Sequence, residues 1–251
     1  VYFWEVKHLR LVRRLLIFVG YTAWVVWRMA ILNKLFGYDY KRCLAIRKQW
    51  ANRLLDSTGV EVTVSGNPPT ETCLFMGNHR SYLDPILVLR DLPVWPVAKA
   101  EIAHWPFIGK GAAMAGILYV RRDDSNNRAK VLHQMGNLLS EGKSVLLFPE
   151  GNTCPDPCGT LSFHTGGFRL AARDGYAVAP ISFHFHDPRD FWIGAESFLS
   201  HGIRTFKRKK IGISVEYGPV FRSADPVWLR ESCQSWIIAS LKRQVSNKTG
   251  L

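Results

Sequence analysis

"CLFMGNHRSYLDP", Cys73 to Pro85, is the stretch on which the fold turns. The run Cys73 to Met76 is short and apolar, and Gly77 closes it, so it reads as a strand. Asp84 and Pro85 then open a helix. Aspartate is a good N-cap, and proline fits the first turn, where its missing N–H is not needed. Between strand and helix the chain turns away from the sheet. Such strand exits are where α/β folds place their sites. This one holds an imidazole and a carboxylate, His79 and Asp84.

The same alternation extends outward. "VEVTV" from Val60 alternates apolar and polar residues, a half-buried strand. "ILYV" (Ile117 to Val120), "SVLLF" (Ser144 to Phe148), "AVAPISF" (Ala177 to Phe183) and "IGISVEY" (Ile211 to Tyr217) are further strands. Helical patterns lie over Pro85 to Arg90, Asn126 to Ser140 and Thr165 to Arg173. A last helix covers Pro226 to Val245, with Asp225 as its N-cap. Strands separated by helices give an α/β fold, with a central mixed β-sheet flanked by helices. At 47% hydrophobic residues, the 251-residue chain has enough apolar material for a sizeable core. There is no internal repeat and no low-complexity tract.

Ahead of this part, Lys7, His8, Arg10, Arg13 and Arg14 precede the uncharged run "LLIFVGYTAWVVW", Leu15 to Trp27, and Arg28 interrupts it. As a helix the run measures about 20 Å, short of the roughly 30 Å hydrocarbon layer. No small-residue cleavage site follows, which disfavours a signal peptide. A monotopic helix in one leaflet is the first expectation. A spanning helix with a snorkelling Arg28 is the second. Another helix is expected over Asp39 to Asp56, with Leu44, Ala51, Leu54 and Leu55 on one face and Gly59 at its end. Residues 1–58 thus read as a two-helix membrane-associating segment ahead of an α/β domain at 59–251.

The formal charge of +13 favours anionic partners: an anionic membrane, a phosphorylated substrate or nucleic acid. Nucleic acid is not expected, because there is neither a basic recognition helix nor an aromatic-studded strand. Five cysteines, an odd count without a dense framework, point to reduced thiols and a cytoplasmic membrane face, the inner membrane in a bacterium. Cys154 and Cys158 in "CPDPC" leave a disulfide open. No second Cys/His pair at matching spacing supports a metal, and none is expected. His184 and His186 alternate on one side of a strand and read as surface or packing residues. "RTFKRKK", Arg204 to Lys210, reads either as a contact for anionic headgroups or as a solvated loop.

His79 and Asp84 carry the chemistry. A carboxylate that holds one imidazole nitrogen as N–H leaves the other as an acceptor, able to take a proton from an alcohol. Aspartate has this orienting role in a Ser–His–Asp triad. No G-x-S-x-G elbow supplies a nucleophile, so the nucleophile is read as a substrate hydroxyl.

"NHRSYLD" resembles the H-x4-D motif of the glycerophospholipid acyltransferases, the lysophosphatidate acyltransferases among them. The resemblance continues in order. "KAEIAHWPFIGKGAAMAGILYVRR" (Lys99 to Arg122) is similar to the second block, with Lys99, Glu101, Pro106 and Gly109 in place. "LFPEGN" (Leu147 to Asn152) resembles the F-P-E-G motif, and "HTGGFRLA" (His164 to Ala171) the segment after it. "VAPISF" (Val178 to Phe183) resembles the fourth motif, with Pro180 at its centre. The likeness spans roughly Val60 to Val220. Two departures stand out. Tyr119, Val120, Arg121 and Arg122 occupy the place of aromatic-Ile-Asp-Arg, and Asn152 and Thr153 that of Thr-Arg.

The resemblance implies transfer of a fatty acyl group from a thioester, acyl-CoA or acyl carrier protein, to the free hydroxyl of a lysophospholipid. The first acceptor it implies is 1-acylglycerol-3-phosphate, giving phosphatidic acid. Lyso-ornithine lipid and glycerol 3-phosphate are alternative acceptors, and a non-catalytic membrane protein of this fold is the remaining alternative. It implies no cofactor beyond the co-substrate. His79 is the implied general base and Asp84 its orienter. Arg122 and Arg121 are implied ligands of the acceptor phosphate, since guanidinium matches phosphate oxygens bidentately. Lys99 would assist them. Glu150 and Gly151 fall where the family binds its acceptor, with the Gly151 N–H facing an oxyanion. Pro180 shapes its strand.

Overall fold

In the computed structural model, which describes residues 2–104 and 108–249, Cys73–Gly77 is strand β2 and lies at the centre of a seven-stranded sheet. All of its residues are buried. Period-two alternation divides them between two cores: Cys73 and Phe75 face one, Leu74 and Met76 the other. The sheet order is β1-β7-β6-β2-β5-β3-β4. It uses β1 (Val60–Ser65), β3 (Trp95–Lys99), β4 (Leu118–Val120), β5 (Val145–Leu147), β6 (Ala177–Phe185) and β7 (Ile211–Tyr217). Neighbours are parallel except β6 and β7, where Ile181 pairs Tyr217 and Phe185 pairs Ile213. The expected mixed α/β sheet is therefore observed. One strand, β3, is additional.

Helices α4 (Leu83–Asp91) and α3 (Tyr40–Thr58) cover the first face. Helices α6 (Ser125–Ser140), α7 (Gly166–Asp174) and α9 (Pro226–Thr249) cover the second. The start of α9 is capped as its sequence demands: Asp225 Oδ1 accepts from the N–H groups of Val227 and Trp228. Leu229, Cys233, Ile237 and Leu241 then form an i, i+4 stripe against the sheet. In α3, Asp39 accepts from the Lys41 N–H, and Gly59 closes the helix at φ 76°, a left-handed position that glycine fills without strain. Two further helices appear, α5 (Ile108–Met114) and α8 (Phe198–Lys207).

The N-terminal helices α1 (Tyr2–Leu16) and α2 (Thr22–Phe36) join through a π-turn at Ile17–Tyr21, which contains Gly20. The described helix Lys7–Phe36 has 30 residues and a mean hydropathy of 1.8 in its most apolar window, so it is much longer than the run between charges. One stripe of it, Leu11, Arg14, Phe18, Thr22, Val25 and Met29, is buried against the domain. Arg14 donates to the carbonyls of Phe206, Arg208 and Lys209 at the end of α8. The opposite stripe, Leu9, Val12, Leu16, Val19 and Trp27, is exposed. The helix thus shares the domain's core on one side only.

The basic cluster Arg204 to Lys210 is neither a free loop nor a bare patch. Its first half is helical. Arg204 pairs with Glu196, Arg208 with Asp187 and Asp190, and Lys210 with Glu61.

Candidate active site

Turns at the ends of β2 and β5 meet a third at the end of β4. Asp84 sits in the first turn of α4 and is fully buried. Its Oδ2 accepts from the N–H groups of Arg80 (2.6 Å) and Ser81 (2.9 Å), so its third contact, His79 Nδ1 at 2.7 Å, is a donor. Asp84 is thus not the expected N-cap: α4 begins at Leu83 with Tyr82 as its N-cap, and the carboxylate accepts from N–H groups that precede it, folding the β2 turn around itself. Nδ1 carries the proton and Nε2 keeps its lone pair. The ring stacks on Phe148, with centroids 4.5 Å apart, and retains 19% side-chain exposure toward a cavity.

Glu150 supports this histidine from behind. One oxygen accepts the His79 N–H (2.7 Å), the other the Leu161 N–H (2.6 Å). Burial pushes its carboxyl up, against the pull of those two N–H groups and of Arg80. Arg80 is buried between them. It donates to the carbonyls of Gly159 (2.6 Å) and His79 (3.3 Å) and lies over the Phe191 ring at 5.5 Å. Cys154 N–H donates to His79 O (2.9 Å). The loop after β5 is thereby tied to the loop after β2 on both sides of the histidine. All five cysteines are free thiols, Cys154 and Cys158 included.

The cavity measures about 890 Å³. At one end it is lined by His79, Lys99, Glu101, Arg122, Arg128, Gly151 and His164. At the other, Phe18, Val25, Val26 and Met29 of the N-terminal helices meet Ile86 and Leu89 of α4. Arg122 is open to solvent. Desolvation by the surrounding loops pulls its guanidinium below the ordinary value, and Glu101 opposes that.

The structure brings His79, Lys99, Arg122 and Gly151 to one cavity, with Asp84 and Glu150 directly behind the histidine. It separates two others. Arg121 points to solvent and pairs with Asp124 at 3.4 Å, because adjacent residues leaving a strand face opposite ways. Pro180 is buried in β6 beside Met76, away from the cavity wall. Two roles also shift. Glu150 binds backbone rather than facing the cavity. The Gly151 N–H is taken by Phe148 O (3.1 Å), so it does not face an oxyanion. Pro106 lies outside the described residues. Arg80, Arg128 and His164 escaped sequence reasoning. An arginine between His79 and Ser81 looks like a solvated charge until the fold buries it.

A family model described as Acyltransferase matches residues 59–184, half of the chain. The chain belongs to this acyltransferase family. Among curated relatives, the lyso-ornithine lipid O-acyltransferase of Pseudomonas aeruginosa is 29% identical over 204 residues, covering 79% of this chain and 77% of that one. A chloroplastic 1-acyl-sn-glycerol-3-phosphate acyltransferase of Brassica napus is 31% identical over 66% of this chain, which spans about half (49%) of its length. The crystal structure of the 1-acyl-sn-glycerophosphate acyltransferase PlsC from Thermotoga maritima superposes with a TM-score of 0.71 over 96% of this chain and 95% of that one. At 15% identity that likeness shows the fold.

Proposed function

We propose that this acyltransferase moves a fatty acyl group from an acyl thioester, on coenzyme A or acyl carrier protein, to the free hydroxyl of an anionic lysophospholipid. 1-Acylglycerol-3-phosphate is the first acceptor, giving phosphatidic acid. The observation that carries the reading is the His79–Asp84 pair opening onto a cavity that is basic at one end and apolar at the other. His79 Nε2 takes the acceptor's hydroxyl proton. The alkoxide attacks the thioester carbonyl, the tetrahedral intermediate collapses, and the thiol leaves with the proton. General-base catalysis of this type contributes about 10²–10⁴-fold. Asp84 fixes the tautomer and steadies the imidazolium. Arg122 holds the headgroup anion, with Lys99 beside it, and the apolar end receives a hydrocarbon chain.

Within residues 1–58, α1 and α2 seat the enzyme on the membrane, while α3 packs on the sheet. A helix with one face built into the protein core cannot be surrounded by lipid. It lies along the interface with Leu9, Val12, Leu16, Val19 and Trp27 immersed. The cytoplasmic leaflet, with its anionic lipids, suits the excess of basic residues.

A second reading, acylation of lyso-ornithine lipid, is favoured by the Pseudomonas relative and by Glu101 among the basic residues of the cavity, where a carboxylate suits a headgroup amine. The test is an acceptor panel with one labelled acyl thioester, run on wild type and His79→Ala. Transfer to lysophosphatidate that vanishes in the variant upholds the first reading. Transfer to lyso-ornithine lipid alone replaces it with the second.

A further inference from the structure

We propose that His164 is a headgroup-binding residue, which grips the acceptor's oxyanion together with Arg122 across Gly151. The proposal rests on the acyl-acceptor reading above. Gly151 has φ 72°, and a Cβ there would lie 3.1 Å from His164 Nε2 and 3.8 Å from Arg122 Nη1. Both nitrogens approach the same point, so they are within about 7 Å of each other. Charge-assisted N–H···O bonds are about 2.7–2.9 Å long. One phosphate or carboxylate, with an oxygen turned to each side, bridges such a gap.

The supporting parts are in place. His164 N–H donates to Pro149 O at 2.9 Å, and its neighbour Phe163 is buried and stacked on Phe168. The backbone is anchored while the ring stands exposed in the cavity wall. Among the described residues no carboxylate lies within ion-pair distance of Arg122 or His164, although Glu101 acts on Arg122 from the same cavity, whereas Arg121 next door is occupied by Asp124. The shared ligand chemistry is an oxyanion on a single-chain lipid, phosphate in lysophosphatidate or carboxylate in lyso-ornithine lipid. The phosphates of a coenzyme donor are the competing source.

Steady-state kinetics of the full chain on vesicles, varying donor and acceptor separately, decide between them. His164→Ala is expected to raise the acceptor KM about tenfold or more, the loss of one hydrogen bond to a charged group. The kcat and the donor KM should stay within about twofold. His164→Lys, which returns an N–H donor to the site, is expected to restore most of the acceptor KM. The acceptor that loses more affinity, lysophosphatidate or lyso-ornithine lipid, identifies the anion. A rise in donor KM instead, a fall in kcat alone, or no change would overturn the proposal. If wild type acylates neither lysolipid, the functional reading fails by itself. The inference is then decided by the His164 imidazole ¹⁵N resonances, assigned by their loss in His164→Lys, during titration with glycerol 3-phosphate and with free ornithine. A saturable shift with either upholds it, and none with both overturns it.

Discussion

The two ends of the cavity are built by different physics. At the His79 end, position comes from hydrogen bonds: Asp84, Glu150 and Arg80 together hold the β2 and β5 turns through Nδ1, N–H and carbonyl groups. At the other end, position comes mainly from packing, where Val26, Met29, Ile86 and Leu89 line a wall made by separate helices, braced by the hydrogen bonds of Arg47 to Ala115 O and of Trp50 to Thr22 Oγ1. Hydrogen bonds have direction, so the first end can fix an atom for a reaction. Dispersion contacts lack it, so the second end can take a chain in many conformations. The lesson is a division of labour: the first end should govern rate and acceptor, the second chain length. A change that crossed over would break the comparison.

Asp84→Asn should have the largest effect. It keeps the shape and one acceptor oxygen for the three donors that converge there, but removes the negative charge that steadies the imidazolium. We expect kcat to fall about 10²–10⁴-fold, as for orienters of this type, with the order of acyl-chain preference unchanged in a donor series. Altered chain preference would mean that the two ends are not separate.

Arg122→Ala comes next. The acceptor KM should rise about tenfold or more, and the donor KM should stay put, both read from the same two-substrate kinetics. Equal rises would place the arginine outside the acceptor subsite.

Ala112 of α5 lines the cavity, and Ala112→Phe fills its apolar end. Each buried methylene contributes about 0.8 kcal/mol. Preference between long and short acyl chains should therefore shift toward short by about tenfold for every two methylenes excluded, with kcat on the shortest chain preserved. The smallest effect is expected outside the cavity. Trp27→Ala removes one exposed ring from the α2 stripe and should lower partition onto anionic vesicles a few-fold, measured by flotation, without altering the rate on a soluble short-chain acceptor.

Much of this division could be read in advance. The strand, turn and helix around His79 were legible because Gly77, Asp84 and Pro85 punctuate a clean apolar run. Strand β3 was not, since its Trp95-Pro96 start breaks the ladder rule. Pro96 is tolerated because β3 changes partner there, pairing β5 through residues 95–96 and β4 through 97–99. Helix α8 hid behind Gly202 and a basic tail that looked like loop, until Glu196, Asp187 and Asp190 supplied partners from elsewhere in the chain. Local spacing found His79 and Asp84 because five residues hold them together. His164 and Arg122 meet only through the fold, and the one local sign was a glycine whose need for a positive φ cannot be seen in sequence.

The most direct measurement is the acyl-transfer rate of His79→Ala on vesicles, with its thermal midpoint taken in parallel. The ring is partly exposed and its partner Asp84 keeps two backbone donors, so the variant should fold with a midpoint close to wild type. Its rate on the preferred lysolipid should fall by at least about 100-fold. A folded variant that transfers acyl groups within about twofold of wild type would contradict the claim that this imidazole takes the acceptor's proton.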